Sequence, residues 1–159
     1  MKCDCGATMT SARENYSYAA SGLPHVTLEG VEVRRCAACG EHEVVIPNIE
    51  QLHQAIANAV ISKKARLASA EVRFLRKHMG WSGAEFARHM GVKPETVSRW
   101  ETGKEFIGPI ADRLLRLMIV TKAPAREYAI ETLASLEDEF APARVRLSAD
   151  KSGWHERAA

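Results

Sequence analysis

Four cysteines, in the stretches MKCDCG and RCAACG, are the residues of this chain best suited to holding a metal ion. A tetrahedral zinc site needs four thiolate sulfurs about 2.3 Å from the ion, which puts neighbouring sulfurs roughly 3.8 Å apart. Cys36 and Cys39 meet that demand through a Cys-x-x-Cys turn with Gly40 after the second ligand. Cys3 and Cys5 are one residue closer; on an extended chain, residues i and i+2 point to the same side, so both sulfurs can reach one ion. The expected ligand set is Cys3, Cys5, Cys36 and Cys39 around a structural Zn2+, with His25 or His42 as the alternative donor for one position. A redox dithiol would need Cys36 or Cys39 at a helix N-terminus, where the thiol pKa falls. Cys39 is instead followed by Gly40 and the strand-like EHEVVI. A catalytic zinc would need an open position, usually with His or carboxylate ligands. Without such a set, or a nucleophile paired with His, the chain reads as a non-enzyme.

The totals set bounds on what can position these residues. With 159 residues, 46% of them hydrophobic and 26% charged, the chain can hold one ordinary domain or two small ones. A piece of about 60 residues is marginal without a staple such as a metal. No apolar run approaches the roughly 18 residues of a membrane span, and the N-terminus lacks the apolar stretch of a secretory signal. A cytoplasmic location is expected, where thiols stay reduced and metal binding is favoured over disulfides. Charge is divided unevenly. Residues 1 to 61 hold four Lys/Arg against seven Asp/Glu, residues 62 to 104 hold ten against four, and residues 105 to 159 hold eight against nine. A basic middle between acidic flanks points to a nucleic-acid contact in the middle and a different task at the front.

Local patterns assign the elements. HVTLEGVEVRRC and EHEVVI read as two or three antiparallel strands, and Ile49, Leu52, Ile56, Val60 and Ile61 place an amphipathic helix over about Asn48 to Ser62. Its apolar stripe needs a partner, either the sheet face or another subunit. SKKARLA (62 to 68) breaks the pattern and reads as a basic linker. The predicted fold is α+β: a zinc-bound β domain with one helix at 1–65, an all-α domain at 66–123, and a C-terminal helix with a mobile tail at 124–159. Ser69 and Ser82 are expected N-caps, Gly80, Gly91 and Gly103 are stops, and Pro94 opens a third helix. IADRLLRLMIV is a fourth helix able to close a core. Beyond it, Tyr128, Leu133, Leu136 and Phe140 suggest a helix over 125 to 140, followed by an aperiodic tail.

Within the basic middle, GAEFARHMGVKPETVSRWETGK has the intervals of a helix-turn-helix: Phe86, Ala87 and Met90 on one helix, a turn at Gly91, then Val97 and Trp100 on the next. With Val97 and Trp100 inward, Lys93, Glu95, Thr96, Ser98, Arg99 and Thr102 face outward. Arg99 can read guanine, while Glu95 can accept from cytosine or orient Arg99. Ser98, Thr102 and Lys104 suit phosphate contacts.

The segment from about 70 to 120 resembles the Xre family of phage-repressor-type DNA-binding domains, with VSRWETGK matching its signature. The resemblance implies an ion pair between Arg76 and Glu101, and it places Gly83 where many members carry a phosphate-clamping Gln. A two-pair Cys module ahead of an Xre domain resembles the MqsA family of antitoxins, the YgiT-type zinc-finger helix-turn-helix proteins. That resemblance covers roughly residues 1 to 120. It implies a homodimeric, nucleoid-associated repressor of a palindromic operator in double-stranded DNA, whose zinc domain holds a toxin. The alternative is a stand-alone Xre regulator whose zinc domain serves dimerisation or sensing.

Overall fold

Residues Met9–Ser17 (β1) and Val26–Cys36 (β2) pair antiparallel, Met9 lying opposite Cys36 and Ser17 opposite Thr27, in a computed structural model that describes residues 1–122 and 139–158. Alternation along β2 sends Val26 and Leu28, then Val31 and Val33, to the buried face. The inward set changes from even to odd numbers across Gly30 (φ 62°), where the register with β1 shifts between Glu14 and Tyr16. This bulge lets both halves of a long strand keep their apolar side chains inward. The opposite edge of β2 is shared: His42–Val45 (β3) pairs antiparallel with its Cys36 half, and Val145–Asp150 (β4) pairs parallel with Val26 to Glu29. Gly153–Glu156 (β5) completes an antiparallel hairpin with β4.

That hairpin corrects the expectation of a mobile tail. Val145, Leu147 and Trp154 are buried, and the Trp154 indole Nε1–H donates to the Pro47 carbonyl at 2.8 Å. The helix Ile49–Ser62 (α1), capped by the Asn48 side chain on the Gln51 amide, packs against β4 and β5 as well as against helices that follow. Its apolar stripe therefore finds a sheet partner contributed from the far end of the chain. Of the helix expected over 125 to 140, residues 125–138 lie outside the described residues; the Phe140 ring lies against that of Phe106, tilted by 31° with centroids 4.3 Å apart. Trp154→Ala is expected to cost about 3 kcal/mol, the low end for a large buried aromatic. Urea denaturation checks this, and a loss under about 1 kcal/mol would remove the hairpin from the core.

Four helices complete the architecture: Ser69–His78 (α2), Gly83–Met90 (α3), Pro94–Thr102 (α4) and Pro109–Lys122 (α5). Ser82 and Glu85 cap α3 reciprocally, and Gly91 (φ 66°) and Gly103 (φ 76°) end α3 and α4 in the left-handed conformation. The expected cap at Ser69 is displaced by one residue. Ala68 is the N-cap of α2, and its amide is satisfied by the Glu71 carboxylate at 2.8 Å.

The segment read as a linker is locked in place. Fully buried Arg116 on α5 donates to the carbonyls of Ile61, Lys63 and Ala65 and to Asp112 Oδ1, while Asp112 Oδ2 accepts from the Leu67 amide. Lys63 pairs with buried Glu71 at 2.5 Å. The returning chain crosses here too, with the Arg66 amide donating to Glu139 O and the Ala143 amide to Glu71 Oε1. One continuous apolar core consequently runs from β2 through α1 into α2 to α5.

Candidate metal centre and nucleic-acid interface

The cysteines converge from two turns at one end of β1 and β2. After Cys3 the chain does not stay extended, as the sequence reading supposed: the Gly6 amide donates to Cys3 O (2.8 Å) and the Cys3 amide to Ala7 O (2.9 Å). The second turn repeats this pattern one residue longer, Gly40 donating to Cys36 O (3.0 Å) and Cys36 to Glu41 O (2.8 Å). Gly6 (φ 88°) and Gly40 (φ 78°) each follow the second cysteine in the left-handed region, where a side chain would be strained. The absent residue thus tightens the first turn from an i+4 to an i+3 closure without removing it.

All four sulfurs lie within 4.8 Å of one another, with Cys3 to Cys39 and Cys5 to Cys36 both at 3.5 Å. These distances fit the roughly 3.8 Å edge of a zinc–tetrathiolate tetrahedron, and the donor set suits a soft or borderline divalent ion. Neither His25 nor His42 belongs to the group, and the ring of His42 lies beside that of Tyr16. Electrostatics also favour a cation. The Cys39 and Ala38 amides draw the Cys36 thiol down to about 7, whereas at Cys39 the Glu41 amide is outweighed by the Cys3, Cys36 and Cys5 sulfurs, which push it up to about 12. Four thiolates this close need a positive ion between them.

In the helical part, Phe86, Ala87 and Met90 of α3 and Val97 and Trp100 of α4 are buried, and the Phe86 and Trp100 rings meet edge to face at 6.5 Å. Ala87 permits the close crossing and Gly91 the turn. Arg76 on α2 grips Glu101 at the end of α4 through two bonds, Nε to Oε1 at 2.5 Å and Nη2 to Oε2 at 3.1 Å, and donates from Nη1 to Trp81 O at 2.8 Å. A second arginine, Arg73, donates to the Glu101 carbonyl at 3.1 Å. Its position one turn before Arg76 on α2 was the available signal.

With its inner face so anchored, α4 turns the other outward. Lys93, Glu95, Ser98, Arg99, Thr102 and Lys104 are exposed and Thr96 is half-buried. Glu95 is not the carboxylate beside Arg99. That is Glu105, whose Oε2 lies 3.9 Å from Arg99 Nη1 and whose amide donates to Arg99 O. Both side chains are more than half exposed, so the pair contributes little and leaves the guanidinium available. Thr102 Oγ1 donates to Ser98 O at 2.8 Å, committing its proton to its own helix. Gly83 sits at the first position of α3 with Ser82 as the cap.

Searches of curated proteins and of solved structures gave no match. Residues 72–109 match the helix-turn-helix family HTH_3. The chain therefore carries an Xre-family helix-turn-helix domain, which supports a role as a DNA-binding transcriptional regulator, beside an N-terminal β-sheet with a four-cysteine cluster able to hold a metal ion.

Proposed function

We propose that this chain is a sequence-specific repressor that inserts α4 into the major groove of a palindromic operator as a homodimer. The observation that carries the reading is the division of α4: Val97 and Trp100 are buried, whereas Lys93, Glu95, Ser98, Arg99 and Thr102 present one exposed polar face ahead of Lys104. Arg99 reads guanine through a bidentate contact, and Glu95 and Thr96 in the first turn of α4 complete the base-reading set. Lys93, Ser98, Thr102 and Lys104 position the helix on phosphates, Thr102 acting as an acceptor toward ordered water. Two such helices about 34 Å apart match half-sites one turn of DNA apart. The paired Arg76 and Glu101 hold the helix at a fixed angle. Zn2+ on Cys3, Cys5, Cys36 and Cys39 is structural and ties the two turns of the front sheet together. No catalytic role is assigned to any residue, and the protein works in the cytoplasm at the nucleoid.

The front sheet is the part suited to holding a toxin. Its acidic balance complements a basic partner, and the module order resembles the MqsA antitoxins. A second reading, a stand-alone regulator whose front domain senses or dimerises, is favoured by the continuous core that joins the sheet to the DNA-reading helices.

Fluorescence anisotropy with DNA from upstream of the chain's own gene tests the main reading. Arg99→Ala is expected to weaken specific binding by about 1–3 kcal/mol and relax preference at one base pair, while Lys104→Ala weakens all sequences alike. Absence of binding at low salt, or indifference to Arg99→Ala, would sink the DNA-reading claim. Co-purification with the product of the adjacent gene separates antitoxin from lone regulator.

A further inference from the structure

A groove of about 600 Å³ opens where the loop after β1, helix α1 and the helix-turn-helix meet. Arg73 and Lys77 stand one turn apart on its α2 wall, Ser69 supplies a hydroxyl, and Ser21, His53 and His78 complete the lining. The two imidazoles flank the Phe74 ring, His53 edge-on at 6.1 Å and His78 stacked at 6.3 Å. Tyr18 fixes His53 through a 3.0 Å contact between its hydroxyl and Nε2. The groove joins four separate stretches of chain and has the size of a small-molecule site.

Its charge is unbalanced. Glu101 at the rim is held bidentately by Arg76, and Arg73 Nε also lies 3.6 Å from its Oε2, so two guanidinium groups share one carboxylate. One of those two guanidinium charges and that of exposed Lys77 then remain in excess, and Lys77 carries no ion pair among the described residues. Burial lowers the pKa of both histidines, further at His78 through Lys122 and His53, so at neutral pH the imidazoles serve as uncharged hydrogen-bonding groups.

We propose that this groove is a binding site for a small polyanion of the phosphate type, held by Arg73 and Lys77 with the Ser69 hydroxyl. Arg73 links it to the recognition helix, because the same guanidinium donates to the Glu101 carbonyl in the last turn of α4. An anion that draws Arg73 toward itself acts on that turn. The binding claim stands without the DNA reading; only the link to repression rests on it.

Calorimetric titration of the full chain with inorganic pyrophosphate, in the absence of DNA, tests the site. One saturable site is expected, weakened about tenfold by Lys77→Gln and further in Arg73→Gln/Lys77→Gln, but unchanged by Arg99→Ala. Circular dichroism controls for folding, and Lys77→Gln, an exposed change, serves where the double variant fails to fold. No saturable binding overturns the proposal. So does binding that Lys77→Gln leaves unchanged, or that Arg99→Ala abolishes, since either places the anion elsewhere.

Discussion

Arg116→Ala is expected to destabilise the protein by about 3–5 kcal/mol, the cost of removing one partner from a buried ion pair. Arg116 is completely buried and bonds three carbonyls, those of Ile61, Lys63 and Ala65, together with Asp112 Oδ1. Truncation removes the guanidinium from those carbonyls and leaves the Asp112 carboxylate, also completely buried, with the Leu67 amide and Arg66 Nε at 3.9 Å. Arg116→Lys is expected to recover only part of the loss. One ammonium has three donors in a compact head, whereas the guanidinium fork spans four acceptors at once. Urea denaturation of the three proteins checks the order, and a loss below about 1 kcal/mol for Arg116→Ala would mean that water or a rearranged linker replaces the clamp. The clamp joins α5 to the chain between α1 and α2, so its loss is also expected to loosen the front sheet from helices α2 to α5.

Cys36→Ser is expected to abolish stoichiometric metal binding and to open the cysteine end of the sheet, with little effect on the helices. Structural zinc contributes on the order of 10 kcal/mol in peptides that have no other core. Here the cysteines lie at one end of β2, whereas β4 pairs at the other, Val26 to Glu29, where the apolar core continues into α1 and the helices. The loss is therefore local. Amide exchange in residues 1–16 and 31–45 is expected to accelerate about a hundredfold or more, roughly 3 kcal/mol of local stability, while α2 to α5 keep their protection. Metal analysis and hydrogen exchange on the same sample check both parts. Full metal retention would point to another fourth ligand; uniform loss of protection would show that the metal holds the whole core.

The helix-turn-helix was legible in the sequence because everything that specifies it is short-range. Ser82, Gly91, Pro94 and Gly103 set the ends of α3 and α4, and Phe86, Ala87, Met90, Val97 and Trp100 recur at intervals that only one crossing of two short helices can bury. The pairing of Cys3 and Cys5 with Cys36 and Cys39 was legible for a similar reason, since metal chemistry demands a particular number and type of donor whatever the intervening fold. The route to that site was not, because a turn and an extended strand both bring residues i and i+2 within reach of one ion, and only the closure of Gly6 onto Cys3 O decides between them.

The tertiary structure alone decided the roles of the remaining segments. Val145 and Leu147 alternate with Arg146 and Ser148, but a strand of six residues carries too little periodic signal to identify itself. What stabilises it is the edge of β2, more than a hundred residues earlier, and the face of α1 that covers it. Asp112 and Arg116 likewise read locally as an i, i+4 pair on a helix surface. Their burial follows from the approach of Ile61, Lys63, Ala65 and Leu67, whose backbone groups need hydrogen-bond partners once the sheet and helices close around them. Short-range spacing therefore determined which helices form and which donors gather. Long-range burial determined that the front sheet and the helix-turn-helix share one core, because only packed surfaces establish which polar groups lose water and must find each other.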